Sequence, residues 1–196
     1  MLRNTLWLAL FLLLINARAN VQSQNLLQNP NADLGEQSWR ASGDAAIEST
    51  SGNDPHFVVR NGGRFFQDVE LPKDAAGQYL VLIGRGASER INPDGAITGL
   101  PALYGYIMQP TAPDRKEILE YMQGQRMLAR TNSPDAWVNM SGIFQVPEGA
   151  TKVRFFLNQA LRAGVPHNGS AARFDNLGLY LFPTKDAAQA FVSQYE

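Results

Sequence analysis

The chain has 196 residues, with 17 basic side chains against 18 acidic ones and no cysteine. The near balance of charge argues against a nucleic-acid partner, which needs a basic face, and the lack of cysteine excludes disulfide bonds and thiol catalysis. A chain of this length amounts to one domain that can bury a sizeable core.

The first residues have the pattern of a secretory signal peptide. Arg3 supplies the positive charge, residues 6–15 form an apolar run, and Ala17, Arg18 and Ala19 have the Ala-x-Ala form of a cleavage site. The apolar run is shorter than the roughly 20 residues that a membrane-spanning helix needs. We therefore expect residues 1–19 to be removed, leaving an exported protein, extracellular or periplasmic, with no membrane span. The alternative is an uncleaved anchor.

The next part of the chain predicts short β-strands separated by turns. Leu26 and Leu27 indicate the first strand, residues 45–49 and 56–60 the next two, and residues 61–63 (Asn-Gly-Gly) a hairpin-type break. Residues 65–71 alternate apolar and polar side chains, the period of a half-buried strand. After a turn at residues 72–77, residues 78–86 are apolar on both faces, which is typical of a central strand.

The rest of the chain predicts more strands and one helix. Residues 89–101 indicate a loop, 102–109 a strand and 110–114 a turn, and residues 118–127 favour a returning strand over a helix capped by Asp114. Three strands are predicted between residues 137 and 182, divided by turns at residues 147–149 and 164–169. Residues 186–195 predict a short amphipathic helix. The predicted fold is an antiparallel β-sandwich over residues 20–182 with a helical tail over 183–196.

Short segments distributed along the whole domain resemble one known family. They are residues 25–35 (Asn-Leu-Leu-Gln-Asn-Pro-Asn-Ala-Asp-Leu-Gly) with Trp39, residues 66–72, residues 77–79, Trp137 with residues 144–150, and residues 174–179 (Phe-Asp-Asn-Leu-Gly-Leu). In this order and spacing they resemble the galactose-binding-like jelly rolls, and most of all the secreted carbohydrate-binding modules of the xylan- and glucan-binding kind. The resemblance implies a jelly-roll sandwich that binds glycans.

The resemblance also implies a structural calcium ion that ties the start of the domain to its last strand. The matching positions are Asp33 and Asp175, with Asn31 in the same Asn-rich turn. Calcium takes six to eight oxygen ligands, and such an ion would close the largest loop in the domain. The alternative is that Asp33 caps a turn while Asp175 accepts hydrogen bonds from backbone N–H groups.

A glycan site needs flat aromatic rings and hydrogen-bonding side chains. Trp39 and Trp137 match positions that pack the core, which leaves tyrosines. Tyr104 and Tyr106 lie two residues apart and share one face of a strand, and Tyr121 is expected beside them. The predicted polar partners are Arg85, Gln109, Gln123 and Asn158. The alternative is a cross-strand aromatic cluster that only stabilises the sheet.

The sequence predicts binding and no catalysis. His56 and His167 have no partner motif, and neither Gly-x-Ser-x-Gly nor His-Glu-x-x-His occurs. Three hypotheses stay open. The first is a carbohydrate-binding-like module, and the second is an envelope-associated or extracellular protein-interaction domain. The third is a hydrolase with an unrecognised acid pair among Glu89, Glu117, Glu120 and Glu148. Asn139 and Asn168 begin glycosylation triplets, which matter only in a eukaryotic secretory host.

Overall fold

A computed structural model describes residues 24–50, 54–90, 99–112, 115–130, 136–161 and 170–195. These residues are mostly antiparallel strand, as predicted, and they end in one short helix. The strands are β1 (Arg40–Thr50), β2 (Asp54–Glu70), β3 (Tyr79–Arg90), β4 (Gly99–Ala112), β5 (Arg115–Met122), β6 (Val138–Gln145), β7 (Lys152–Leu161) and β8 (Ser170–Phe182). A single 3₁₀ turn covers Gln125–Met127, and helix α1 covers Lys185–Tyr195. The predicted signal peptide, His167 and Asn168 lie outside the described residues.

One sheet curls over to make both layers of the sandwich. Its strands follow the order β5-β4-β7-β2-β8-β3-β6, and β1 pairs with β2 beside this path. Strand β2 belongs to both layers, because residues 57–59 pair with β8 and residues 64–70 pair with β7. We call the half with β8, β3 and β6 the β3 layer and the half with β7, β4 and β5 the β4 layer. Their inner faces meet where Gly84 and Gly86 of β3 lie against Leu103 and Pro101 of β4.

The predicted hairpin break at residues 61–63 is wrong, because β2 continues through it. Asn61 and Gly62 have φ angles of 49° and 75°, and the register of β1 shifts between Ser42 and Asp44 on the facing strand. This is a β-bulge, which bends a strand without ending its ladder. The bend falls between the part of β2 that pairs with β8 and the part that pairs with β7, so it carries the chain from one layer to the other.

Alternation along the strands places the core between the layers. Phe65, Gln67 and Val69 are buried while Phe66, Asp68 and Glu70 are not, as the period of two predicted. Four phenylalanines are fully buried at the centre, namely Phe57, Phe65, Phe155 and Phe174. Each such ring removes about 150–250 Å² from water, so these side chains are a main source of stability in a domain without disulfides.

The two ends of the domain are tied together by hydrogen bonds. Leu26 and Leu27 do not form the predicted strand, but the Leu26 N–H donates to the Leu179 carbonyl over 2.8 Å. The Asn25 side chain donates to the Leu177 carbonyl and accepts from the Leu179 N–H, both over 3.0 Å. A side chain thus takes the place of a strand partner, and the opening segment lies against β8.

Two further boundaries differ from the predictions. Of the loop predicted over residues 89–101, residues 89–90 belong to β3 and residues 99–101 to β4, and the rest lies outside the described residues. The strand predicted over residues 118–127 is confirmed as far as Met122, where β5 ends. The chain then makes its 3₁₀ turn, and Gly124 provides the carbonyl that accepts the Met127 N–H over 3.1 Å.

The predicted C-terminal helix is confirmed as α1, and it covers the outer face of the β3 layer. Ala188 and Val192 are buried against Val81, Ile83 and Phe182 in a second, smaller core cluster. The helix has 11 residues, and within the described part of the chain no helix has the length and apolarity to cross a membrane.

Candidate functional site

The outer face of the β4 layer carries aromatic side chains. On β4, Leu103 and Ile107 are buried in the core, so Tyr104 and Tyr106 between them point outward. On β7 the same alternation buries Phe155 in the core and places Phe156 on the outer face. Phe66 has the corresponding outward position on β2. The registers of β4, β7 and β2 place Tyr104 opposite Phe156 and Phe156 opposite Phe66.

These rings form a continuous row across four strands, from Tyr121 on β5 to Phe66 on β2. Ring centroids are 5.3 Å apart for Tyr121 and Tyr106, 5.2 Å for Tyr106 and Phe156, and 5.8 Å for Phe156 and Phe66. Tyr104 stacks on Phe156 at 4.5 Å with an interplanar angle of 1°. Tyr121 is 56% exposed, whereas Phe156 is 5% exposed. We call these five residues the aromatic row.

Paired charges lie beside the aromatic row. Arg154 donates two hydrogen bonds to Asp68, over 2.6 and 2.7 Å, and Lys116 lies 3.9 Å from the same carboxylate. The Arg154 guanidinium also lies 4.8 Å from the Phe66 ring centroid. The hydrogen-bonded guanidinium lowers the pKa of the Asp68 carboxyl. The carboxylate therefore stays ionised at neutral pH, and Arg154 is held between it and the ring.

A pocket opens beside Tyr104. Its volume is about 500 Å³, and its lining includes Tyr104, Gln123, Leu128, Arg130 and Asn158. Burial raises the pKa of the Tyr104 hydroxyl, and a hydrogen bond from Arg64 partly offsets the effect. Tyr104 is therefore a neutral hydrogen-bonding group at physiological pH. The pocket combines an aromatic ring, two carboxamides and a guanidinium in one concave surface.

The structure brings together five of the seven residues predicted to bind a ligand. Tyr104, Tyr106 and Tyr121 lie in the aromatic row, and Gln123 and Asn158 line the adjoining pocket. Sequence reasoning missed four contributors to this surface: Phe66, Phe156, Arg64 and Arg130. One signal was present, because Phe66 is an aromatic residue at an outward position of an alternating strand, next to Asp68 and Glu70.

Arg85 and Gln109 lie elsewhere. Gly84 and Gly86 face the β4 layer, so Arg85 between them points away from it, and its guanidinium lies 5.5 Å from the Trp137 ring centroid. The Gln109 carboxamide lies against the turn at Gly149, where an added Cβ would be 2.8 Å from its Oε1. Neither side chain is among those lining the pocket beside Tyr104.

The two tryptophans of the domain have different surroundings. Trp39 is 6% exposed and packs on Phe57 at a centroid distance of 4.8 Å, as expected for a core residue. Trp137 is half-buried and does not belong to the buried core. Arg85 and Arg173 lie 5.5 and 5.8 Å from its ring centroid, and His56 meets its edge at 6.2 Å. The core position expected for Trp137 is therefore corrected to an outer position on the β3 layer.

The opening turn is organised by Asn29 and not by Asp33. The Asn29 carboxamide donates to the Gly35 and Gln37 carbonyls over 2.7 and 3.2 Å and accepts from the Leu34 N–H over 3.0 Å. Asp33 is exposed. In the described ranges no group of three or more histidine, aspartate or glutamate side chains is arranged to hold a metal ion.

Asp175 has neighbours of both charges. Burial raises the pKa of its carboxyl, and the N–H of Asn176 donates a hydrogen bond to it; the charges that act on it belong to Asp54, Arg85 and His56. A hydrogen bond from a backbone N–H group to Asp175 is what the alternative to calcium binding predicted. Asp33 and Asn31 are not among these neighbours, and calcium stays a prediction from the resemblance.

Calcium binding at Asp175 predicts a melting temperature that depends on the ion. If calcium binds the folded state and not the unfolded chain, excess calcium raises the wild-type melting temperature and a chelator reverses the rise. Asp175→Asn removes the charge while keeping the size, so it should abolish that rise. Scanning calorimetry with calcium or chelator measures both proteins. An unchanged wild-type melting temperature would eliminate the calcium hypothesis.

Two of the acids considered for hydrolysis line another pocket. Glu120 and Glu148 border a pocket of about 610 Å³ together with residues 76–77 and 145–147. Both glutamates are exposed. A general acid for glycoside cleavage works in an apolar environment, and exposure to water does not provide one.

Solved structures share the fold of this chain, although sequence comparisons find no match. No protein-family profile matches the sequence, and no curated protein matches it. The enzymatically active domain of tailspike protein 4 from bacteriophage CBA120 matches 81% of the chain with a TM-score of 0.56 at 12% identity. The present chain covers 21% of that structure. The Stig cyclase Fisc from Fischerella sp. TAU matches 82% with a TM-score of 0.54 at 12% identity, and 98% of that chain is covered.

A carbohydrate-binding module is also among the solved structures that match. The CBM22-1 xylan-binding domain of Paenibacillus barcinonensis Xyn10C matches 85% of the chain, with 99% of its own length covered, at 12% identity and a TM-score of 0.48. The antiparallel β-sandwich that the resemblance implied is confirmed by the strands of the structure and their order. At such low identity these likenesses concern the fold alone.

Proposed function

We propose that the domain is an exported, non-catalytic module that binds glycan chains through the aromatic row and its adjoining pocket. The observation that carries the proposal is the continuity of this surface. Rings from four strands make one apolar row, and one side of the row, at Tyr104, borders a pocket with polar side chains. Export depends on residues 1–19, and a mature protein that begins at Asn20 would establish it.

The chemistry of the surface suits a sugar. A pyranose has apolar C–H groups on its faces and hydroxyl groups around its edge, so it stacks on aromatic rings while its hydroxyls need donors and acceptors. The Gln123 and Asn158 carboxamides each provide both kinds of group, and the Tyr104 hydroxyl adds another. One face of Tyr104 is covered by Phe156, which leaves the other face and the ring edge toward the pocket.

The length of the row favours a chain of sugars over a single ring. Adjacent strands lie about 4.8 Å apart, so a row that crosses from β5 to β2 spans roughly three such spacings. That distance exceeds the width of one pyranose. An extended oligosaccharide lying along the row is therefore the ligand that the surface accommodates best.

Replacing Tyr104 by alanine tests the proposal directly. Loss of this ring removes the stacking surface in the pocket and a hydroxyl partner, and we expect glycan affinity to fall about tenfold, or about 1.4 kcal/mol. The measurement is a glycan array to find a ligand, followed by titration calorimetry of wild type and variant. The control is Tyr79→Ala, because Tyr79 is a half-buried tyrosine on the outer face of the β3 layer.

The outcome also separates binding from hydrolysis. A bound glycan that releases no reducing ends during the titration agrees with a non-catalytic module, whereas release would revive the hydrolase hypothesis. If the folded wild type binds no glycan, or if Tyr104→Ala and Tyr79→Ala bind as wild type does, the proposed surface is wrong.

A further inference from the structure

The basic side chains on the outer face of the β4 layer fall into two groups. Arg154 and Lys116 share Asp68, and Lys152 lies 2.7 Å from Glu70. These cations are neutralised by carboxylates on β2. Within the described segments Arg40, Arg64 and Arg130 have no such carboxylate partner. All three are exposed, so their guanidinium groups are available to a ligand.

Arg40 lies at the Phe66 end of the aromatic row, and Arg64 and Arg130 lie along its Tyr104 side. Arg40 is in register with Phe66, and its guanidinium lies 5.9 Å from that ring centroid. Arg64 is in register with Asn158, which lines the pocket, and its charge acts on the Tyr104 hydroxyl. Arg130 lines the pocket itself. The paired charges of Asp68 and Arg154 lie farther along β2 and β7, beside Tyr106.

Among the residues that the structure describes, no acid lines the pocket to balance this charge. Arg130 is the charged side chain in this described lining, which otherwise consists of apolar groups, Tyr104, Gly124 and the carboxamides of Gln123 and Asn158. Two guanidinium groups beside a concave surface with low-dielectric walls create a positive local potential. A neutral sugar makes no use of that potential, because carboxamides alone would satisfy its hydroxyls.

We infer that the glycan bound at this site is anionic, with carboxylate or sulfate groups that Arg64 and Arg130 recognise. The inference rests on the proposed function and specifies its substrate class. A guanidinium presents parallel N–H donors that match the oxygens of either anion, and such charge-assisted hydrogen bonds are about twice as strong as neutral ones. The sugar rings stack on the aromatic row while their anionic substituents enter the pocket beside Tyr104.

Matched pairs of polymers test the inference. The first pair is a polyuronate and its carboxyl-reduced form, which keeps the sugar rings and removes the charge. The second pair is a sulfated glycan and its desulfated form, which separates the two sources of negative charge. We expect wild type to bind the charged member of one pair about tenfold more tightly in low salt. The preference should shrink as salt screens the guanidinium groups.

The variant Arg64→Gln/Arg130→Gln should lose this preference and bind the two members of the pair with affinities within about twofold of each other. The control Arg115→Gln/Lys73→Gln removes the same charge from exposed positions that do not line the pocket, and its preference should persist. If wild type binds both members of each pair equally, or if the arginine variant keeps the preference, the inference is overturned while the proposed function stands. If wild type binds none of the four polymers and no glycan on an array, the proposed function itself fails.

Discussion

Replacing Trp39 by alanine is expected to reduce the free energy of unfolding by about 3–5 kcal/mol. Trp39 precedes β1 and is 6% exposed, with Phe57 and Phe155 at centroid distances of 4.8 and 6.0 Å. Its Nε1–H donates to the Asn29 carbonyl over 3.0 Å. The substitution therefore leaves a cavity beside the central phenylalanines and also releases the opening turn. Urea unfolding of wild type and variant measures the change.

Two control substitutions divide this effect into its parts. Trp39→Phe keeps most of the ring but removes the hydrogen bond to Asn29, and should cost about 1–2 kcal/mol. Trp137→Ala removes a tryptophan of equal size from the outer face of the β3 layer, where the ring contacts Arg85, Arg173 and His56. Each cation–π contact at an exposed site contributes roughly 0.5–1 kcal/mol. Equal losses for Trp39→Ala and Trp137→Ala would contradict the different burial of the two rings.

Much of the fold could be predicted because strand periodicity is a local property. Alternation over residues 65–71 and the apolar run over residues 78–86 identify a half-buried strand and a central strand without knowledge of their partners. The break at residues 61–63 could not be interpreted in the same way. Asn-Gly-Gly permits positive φ both in a hairpin and in a bulge, and the choice is made by the partners of β2. Two of those partners, β7 and β8, come about 100 residues later in the chain.

The prediction of the site was limited in the same way, because a local pattern does not reveal the partners of a strand. Tyr104 and Tyr106 were predicted to share a face because residues two apart on a strand always do so. Phe156 was missed because residues 155 and 156 are both phenylalanine, and a one-residue change of register would exchange the buried ring for the outer one. Arg85 was placed with the tyrosines because only the assembled sandwich shows that Gly84 and Gly86 face β4. Face and layer depend on pairing, which no single segment encodes.

Substituting Gly63 by alanine is expected to destabilise the domain by about 3 kcal/mol or more, because it forces apart two backbones at the bulge. A Cβ at Gly63 would lie 2.4–2.7 Å from the backbone O, C and N of Asp44. The facing residue Gly43, with φ of 71°, is also close, since its own Cβ would be 3.0 Å from the Gly63 Cα. Backbone atoms cannot rotate away as a side chain can, so β1 and β2 must separate where the sheet bends between its layers.

Substitutions at two other glycines distinguish the effect of this close contact from the effect of backbone strain. Gly124→Ala meets no heavy atom closer than the Met127 sulfur at 3.8 Å, so it should be neutral or slightly stabilising through the entropy of the unfolded chain. Gly77→Ala has open space but a φ of 80°, and should cost about 1–2 kcal/mol through the left-handed conformation alone. Thermal melting of the three variants should therefore rank Gly63→Ala lowest and Gly124→Ala highest. If Gly63→Ala and Gly124→Ala have the same melting temperature, β1 and β2 are not in close contact at the bulge. The link between the two layers of the sandwich would then have to lie elsewhere in β2.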